Sequence, residues 1–163
     1  MPTLRPGRPE EIDAILFESH ALWGAGLDFP AYRDFWFNLM GTAFGRRRLR
    51  FLVWVDDSGT LLSSLKLYNP TIRLLGRTGR AAVLGAVFTP RAERSKGHAA
   101  AMIRAVLDEV RPAGDAAALL FTDIGVKYYE ALGFRPLPAE EVTGRIDPVV
   151  PPPPGWALRP MEA

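Results

Sequence analysis

A basic loop that contains one glycine, between an apolar run and a helix, has the residue types to bind phosphate. Residues 94–99 read Arg-Ser-Lys-Gly-His-Ala. The first N–H groups of a helix lack intrahelical partners, and the helix dipole favours negative charge beside them. Small residues at Gly97 and Ala99 would let a diphosphate approach the backbone amides. The sequence therefore predicts a phosphate cradle where a helix begins at His98.

The elements on either side of this loop are a strand and an amphipathic helix. Residues 81–88 form an apolar run of strand length, rich in small and β-branched residues. The helix after the loop carries its apolar residues on one stripe. Residues 116–122 are again apolar without alternation, which is typical of a buried parallel strand. A strand, helix and strand of this size form a right-handed crossover, which places two parallel strands side by side.

Two adjacent tyrosines follow the second strand, in a short predicted helix over residues 126–132. Successive helical residues point about 100° apart, so the two rings cannot face one place. Tyr128 shares a face with Ile124, and we predict it to be the core residue. Tyr129 shares a face with Val126 and Gly133, and a buried tyrosine with a purely structural role is one interpretation of it.

The rest of the chain predicts a strand, two helices and a run of antiparallel strands. Buried residues are expected on both helices, and the basic run at residues 46–48 is expected to be a solvated loop. On the second helix the predicted buried side is Tyr32, Phe35, Trp36 and Leu39. The predicted strands are 3–6, 51–55, 60–68, 71–75 and 81–88, and the predicted helices begin at Pro9 and Pro30.

Two patterns in this order resemble those of the GNAT N-acetyltransferase family. Residues 94–99 fit R-x-x-G-x-A, and residues 129–134 fit Y-x-x-L-G-F, with one predicted βαβ unit between them. The resemblance covers about residues 4–147, with specific residues only in the last third. It implies an α/β fold in the order β-α-α-β-β-β-α-β-α-β-β, in which antiparallel strands give way to parallel ones and helices flank the sheet.

The resemblance implies direct transfer of an acetyl group from acetyl-CoA to an amine. Tyr129 would protonate the departing thiolate. Asp123 is a second catalytic candidate, as an acceptor of the substrate proton, although it also suits an N-cap of the following helix. The cofactor arm would lie along Ala86, Val87 and Phe88. The implied pyrophosphate contacts are Arg94, Ser95, Lys96, Gly97, His98, Ala99 and Ala100.

Two features depart from the family pattern. Ser95 stands where many members have glycine, which we expect to stiffen the turn. The central strand carries no Glu or Asp to act as a base. The sequence therefore leaves two routes open, a water chain or an acceptor amine that arrives already neutral.

The composition narrows the class of protein. The chain has 163 residues and no cysteine, which excludes disulfides, thiolate metal sites and an acyl-cysteine intermediate. With two histidines and a formal charge of +2, neither a histidine-rich metal site nor nucleic-acid binding is expected. No apolar run is long enough to span a membrane, so a cytoplasmic protein is expected.

The C-terminal end predicts a linker after a single domain at residues 1–148. Residues 149–154 read VVPPPP, a semi-rigid polyproline segment. Leu-Arg-Pro at 158–160 repeats the Leu-Arg-Pro at 4–6, which favours residues 149–163 as a linker and the start of an absent second domain. An added or swapped edge strand is the equal alternative.

Three functions remain open on the sequence. The first is an N-acetyltransferase acting on the amine of a small-molecule or peptide acceptor, preferably a small molecule, with a homodimer left open. The second is a non-catalytic acyl-CoA-binding module that supports a partner domain. The third is another phosphate binder, although neither G-x-x-x-x-G-K-[ST] nor G-x-G-x-x-G is present.

Overall fold

A mixed β-sheet with helices on both faces organises the chain. The computed structural model describes residues 1–74, 76–115, 117–122 and 124–138. Its strands are β1 (Thr3–Pro6), β2 (Leu49–Val55), β3 (Leu61–Tyr68), β4 (Thr71–Leu74), β5 (Arg77–Phe88) and β6 (Ala117–Leu120). Its helices are α1 (Pro9–Trp23), α2 (Phe29–Gly41), α3 (Ala43–Arg48), α4 (His98–Val110) and α5 (Val126–Glu130), with a 3₁₀ turn at Arg91–Glu93.

The sheet changes from antiparallel to parallel at β5. Strands β1, β2, β3 and β5 are antiparallel neighbours in that order. β4 continues the line of β3 along the same edge of β5, and the Ala81 amide donates to Pro70 O at 2.9 Å where the two strands meet. β6 pairs in parallel with residues 81–84 on the opposite edge. The predicted mixed sheet is therefore confirmed.

Alternation along β3 divides the core into two layers. Leu65 and Leu67 face α4 and pack with Met102 and Ile103. Residues 64 and 66 face the opposite side, where α1 and α2 cover β2. That second layer contains Ile12, Ile15, Leu16, Tyr32, Phe51, Val53, Val55 and Phe88.

The starts of α1 and α2 are built from local polar contacts. Glu11 accepts from the Arg8 amide at 2.8 Å and pairs with both terminal nitrogens of Arg5, at 2.6 and 2.8 Å. The hydrogen bond from Arg5 lowers the pKa of Glu11 to about 2. Asp28 caps α2 by accepting from the Ala31 amide at 2.8 Å. These contacts hold α1 and α2 over the sheet.

Two predictions about the second helix and the segment after it are wrong. Phe35 is 51 % exposed, and the buried side of α2 instead follows Tyr32, Trp36 and Met40 at a spacing of four residues. Residues 46–48 form the end of helix α3 and not a loop. Gly45 lets this helix pack tightly against α2. A Cβ at Gly45 would lie 2.0 Å from Leu39 O.

Several boundaries also differ from the sequence prediction. β5 begins at Arg77 and not at residue 81 as predicted, because it forms a tight hairpin with β4. α5 ends at Glu130. Residues 135–138 form no strand, and the remainder of the predicted tail strands and the 149–163 linker lie outside the described residues. Within the described ranges, none of the helices is long and apolar enough to cross a bilayer.

Candidate active site

A β-bulge interrupts β5 near its C-terminal end. Lys66 pairs with Gly85 and Ser64 pairs with Phe88, so β5 uses one residue more than β3 between these two pairs. Ala86 lies within the bulge with a φ of 47°, in the left-handed region that disfavours side chains. Bulges of this kind increase the local twist and occur beside active sites.

Beyond the bulge, one edge of β5 lacks a strand partner. β6 pairs only with residues 81–84, and within the described residues no strand pairs with that edge from Gly85 to Phe88. Backbone groups on such an edge can bind an extended ligand as an added strand would. Ala86, Val87 and Phe88, which the sequence predicts to contact the cofactor, all lie in this segment.

The loop after β5 is held at its first residue. Ser63 donates its hydroxyl to Phe88 O at 2.8 Å and lies 3.1 Å from Thr89 Oγ1. The Arg94 Nε donates to Thr89 O at 3.1 Å. Arg94 therefore shapes the loop with its side chain.

The N-terminus of α4 is open. Gly97 is the N-cap residue, with a φ of 81° and no side-chain cap. The first backbone bond of the helix runs from the Ala101 amide to Gly97 O, so the amides of residues 98–100 are its orphan donors. A Cβ added at Gly97 would meet nothing within 4 Å. This open space in front of free amides fits a diphosphate.

The loop contains one residue with a strained backbone conformation, Ser95, and one carboxylate, that of Glu93, which contacts two neighbouring side chains. Ser95 has a φ of 61°, so a serine occupies a position that favours glycine. Both carboxylate oxygens of Glu93 accept from Lys96 Nζ at 3.1 Å, and His98 Nε2 lies 3.2 Å from the same carboxylate. Two residues of the predicted pyrophosphate site, Lys96 and His98, therefore have side chains that contact Glu93.

Tyr129 is the inward-facing residue of α5. It is 8 % exposed and packs in the α4 layer, with its ring 6.1 Å from that of Phe134. Tyr128 is 39 % exposed, so its predicted place in the core is wrong. The Phe134 amide donates to Tyr129 O at 3.1 Å, and this turn brings the Phe134 ring onto the Tyr129 side. Asp123 lies outside the described residues.

A cavity of about 740 Å³ lies beside α5 and does not coincide with the open end of α4. Tyr129 lines it together with β6, and Leu107 and Arg111 from the C-terminal half of α4. No residue of the loop at 89–97 contributes to its walls. The structure therefore places Tyr129 at this cavity, while the predicted arm and diphosphate contacts at the bulge and the α4 N-terminus do not line it.

A comparison with known protein families identifies the family of this chain. Residues 18–137 match the model of the acetyltransferase (GNAT) domain. The chain belongs to the GNAT family. No match was found among the curated proteins.

Solved structures of low sequence identity share this GNAT fold. A transcriptional regulator from Bacillus halodurans superposes with a TM-score of 0.70 at 15% identity, over 90% of this chain and 100% of that one. A Trypanosoma brucei acetyltransferase gives 0.60 at 19%, over 90% and 99%. Glucosamine-6-phosphate N-acetyltransferase from Arabidopsis thaliana gives 0.63 at 12%, over 90% and 99%. At these identities the likeness shows the fold alone.

Sequence reasoning missed one residue of this GNAT protein that the structure places beside the bulge. Lys66 is 1 % exposed, and its Nζ lies 3.4 Å from the ring centre of Trp36. Burial lowers the pKa of Lys66 to about 7. The sequence feature that could have drawn attention to Lys66 is that it is the single charged residue of the strand Leu-Leu-Ser-Ser-Leu-Lys-Leu-Tyr. Its burial could not be read from the sequence, because a lysine on a strand is ordinarily on the solvent side.

Proposed function

We propose that this protein is an N-acetyltransferase that moves an acetyl group directly from acetyl-CoA to an amine, preferably that of a small molecule. One observation carries the proposal. The bulged edge of β5 at residues 85–88, with which no strand of the described residues pairs, leads through one short loop to the open N-terminus of α4. An extended arm followed by a diphosphate is the shape of coenzyme A, and these two surfaces follow one another in the same order.

The residues of the site fit two parts of that substrate. Backbone groups of Ala86, Val87 and Phe88 would bind the arm, and the amides of residues 95–100 would bind the diphosphate. A main-chain N–H of the bulge would polarise the thioester carbonyl as negative charge develops on its oxygen. The neutral amine would form the new C–N bond as the C–S bond breaks.

Tyr129 is the proposed donor of the proton that the departing thiolate takes up. Its position on the inward face of α5, against α4, supports this role. A buried tyrosine in the core is also compatible with the binding-module alternative, in which no proton is required. Activity of Tyr129→Phe, and not its structure, separates these two functions.

Calorimetric titration of coenzyme A into wild type and Gly97→Glu tests the cofactor site. The added carboxylate would fill the open space and repel the diphosphate, so micromolar binding to wild type should be lost. Gly76→Glu is the matched control, because Gly76 also has open space around its Cα and a φ of 79°. Equal binding by wild type and Gly97→Glu would contradict the proposed site.

A screen of amines against acetyl-CoA then tests transfer. Wild type should release free thiol with an amine, and Tyr129→Phe should lower kcat by about 10²- to 10⁴-fold while it retains coenzyme A binding. Coenzyme A binding without turnover of any amine would favour the binding module. Absence of coenzyme A binding would contradict both functions.

A further inference from the structure

A lysine and a serine of β3 bracket the bulge on one face of the sheet. Lys66 lies opposite Gly85 and Ser64 lies opposite Phe88, so the two side chains flank residues 85–88. Their partners on β2, Phe51 and Val53, belong to the layer under α1 and α2. Both polar side chains therefore enter that layer on the β3 side of β5, one strand away from the edge at which the thioester is proposed to bind.

The Lys66 amine has aromatic neighbours in place of a counter-ion. Its Nζ lies 3.4 Å from the ring centre of Trp36, 5.2 Å from that of Phe51 and 5.9 Å from that of Trp23. Among the described residues, no carboxylate forms an ion pair with it and no hydrogen bond reaches it. Ring faces stabilise an ammonium group, but they do not replace the water that burial removes.

The titratable groups around Lys66 include no carboxylate among the described residues. They are His20 on α1, Tyr32 on α2 and Tyr68 on β3, while the residues of β2 and β5 that face this layer are apolar. Asp13 and Arg33 pair with each other across the outer surface of α1 and α2. Burial without a counter-ion is therefore the cause of the lowered pKa.

The same layer contains other polar atoms without partners. Tyr32 Oη, Trp36 Nε1 and Ser64 Oγ are buried and find no hydrogen-bond partner among the described residues. Buried polar atoms of native proteins are ordinarily satisfied, so a group of such atoms indicates a place for ordered water or a polar ligand. Ser64 carries one of these atoms directly beside the bulge.

We propose that Lys66 is the proton acceptor for the incoming amine, either directly or through one water, in the acetyl transfer proposed above. The acceptor ammonium gives one proton to the neutral Lys66 amine and becomes a neutral nucleophile. That nucleophile forms the C–N bond as the C–S bond breaks, and the departing thiolate takes a proton from Tyr129. The second proton, which the acylated nitrogen then loses, returns to Tyr129 through water. The Lys66 ammonium that results is stabilised by the three aromatic rings. The base that the central strand lacks is thus supplied by the adjacent strand.

Burial brings the pKa of Lys66 into the range that a general base requires. A pKa of about 7 leaves a large share of the amine neutral near neutral pH, where an ordinary lysine is charged. Efficient general bases have pKa values near the working pH. The role rests on the proposed function, and the tests below separate the two.

The first test compares acceptors that do and do not need a base. Ethanolamine is protonated at pH 7 and hydroxylamine is neutral. Lys66→Met should lower kcat with ethanolamine by about 10²- to 10⁴-fold and change kcat with hydroxylamine by about tenfold or less. Lys66→Arg is the matched control for charge, because arginine keeps the cation and cannot accept a proton at this pH. It should be as slow as Lys66→Met with ethanolamine, and rescue by arginine would overturn the proposal.

The second test observes the amine directly. Lys66, Lys96 and Lys127 are the only lysines of the chain, so ¹³C-lysine-labelled protein should show few, well-resolved Cε signals. Lys66→Arg and Lys127→Met assign them. The Lys66 signal should titrate near pH 7, and the kcat of wild type with ethanolamine should rise through the same pH. A Lys66 signal that titrates in the ordinary range of lysine would overturn the proposal.

These outcomes also separate the inference from the proposed function. Acetyl transfer by wild type with equal loss for both amines in Lys66→Met would leave the acetyltransferase intact and overturn the role of Lys66. Wild type that does not bind coenzyme A would overturn the proposed function, and the role of Lys66 with it. Coenzyme A titrations of both Lys66 variants show that their site remains folded.

Discussion

Lys66 on β3 pairs with Gly85 on β5 at the first residue beyond the β5–β6 ladder. A Cβ at Gly85 would lie 3.2 Å from Tyr68 Cε2, so a larger residue there would press against the tyrosine ring. The functional groups on this face therefore come from β3, while β5 contributes its backbone. The division explains how a central strand without acids can still lie at the centre of a reactive site.

The first prediction is that removing the Lys66 charge stabilises the protein at low pH. The pKa of Lys66 is about 7 in the folded chain and 10.5 ordinarily. Below pH 7 both states are protonated and the folded state bears the full cost of a buried charge. Between pH 7 and 10.5 the unfolded chain binds the extra proton, so the free energy of unfolding of wild type rises with pH.

Lys66→Met should therefore raise the free energy of unfolding at pH 6 by about 1–3 kcal/mol, with a gain that shrinks toward pH 10. Urea unfolding at several pH values measures this. Lys127→Met, which removes an exposed lysine of α5, should show no such dependence. A Lys66→Met variant less stable than wild type at pH 6 would show that the aromatic contacts outweigh the cost of burial.

The second prediction concerns Glu93, whose carboxylate pairs with Lys96 and His98 in the proposed diphosphate cradle. Glu93→Gln should tighten coenzyme A binding several-fold, on the order of 1 kcal/mol, because it removes a negative charge that repels the diphosphate and competes with it for Lys96. The gain should decrease at high salt. Asp108→Asn makes the same charge change on the exposed side of α4 and should have little effect. Weaker binding by Glu93→Gln would mean that Glu93 holds Lys96 in place for the ligand.

The third prediction uses one substitution at two positions of β5. Ala86→Gly should leave the free energy of unfolding unchanged or raise it by up to about 1 kcal/mol, because glycine relieves the strain of a φ of 47°. Ala81→Gly, at a fully buried position of the same strand, should lower it by about 1 kcal/mol. Thermal or urea unfolding measures both. Equal destabilisation by the two substitutions would contradict the strain assigned to the bulge.

The fourth prediction concerns acid stability. The pKa of Glu11 is lowered from 4.5 to about 2, so its contribution is present above pH 4.5 and is lost as the pH falls from 4.5 to 2. Glu11→Gln should lower the free energy of unfolding at pH 7 by on the order of 1 kcal/mol, a value reduced for partial exposure, and flatten the acid transition. Glu10→Gln, in the same helical turn, is the control. Identical acid transitions for the two variants would contradict the role of the Arg5 pair.

Local patterns of the sequence were sufficient for much of the fold and the cradle. The apolar run at 81–88, the glycine at 97 and the periodicity of 98–110 predicted a strand, a loop and a helix, and all three are present. Their physics is local, since strand and helix periods and the missing side chain of glycine act within a few residues. The two family patterns extended this to the mixed sheet.

The tyrosines of α5 show where local reasoning fails. Helical geometry correctly separated Tyr128 from Tyr129, but the wrong one was placed in the core. The buried face was decided by the turn at Gly133, which returns Phe134 to the Tyr129 side. A five-residue helix has too few apolar positions to define its buried face by itself.

The sequence by itself thus determined the order of the described strands and helices apart from α3, the glycine loop and the family, because each depends on neighbouring residues. Only the tertiary structure decided that β5 carries a bulge with Ala86 in the left-handed region, since strand register is set by contacts between distant segments. It also decided that Lys66 is buried under Trp36. The pKa of a lysine depends on the water it loses and the charges around it, and both are properties of the packed chain.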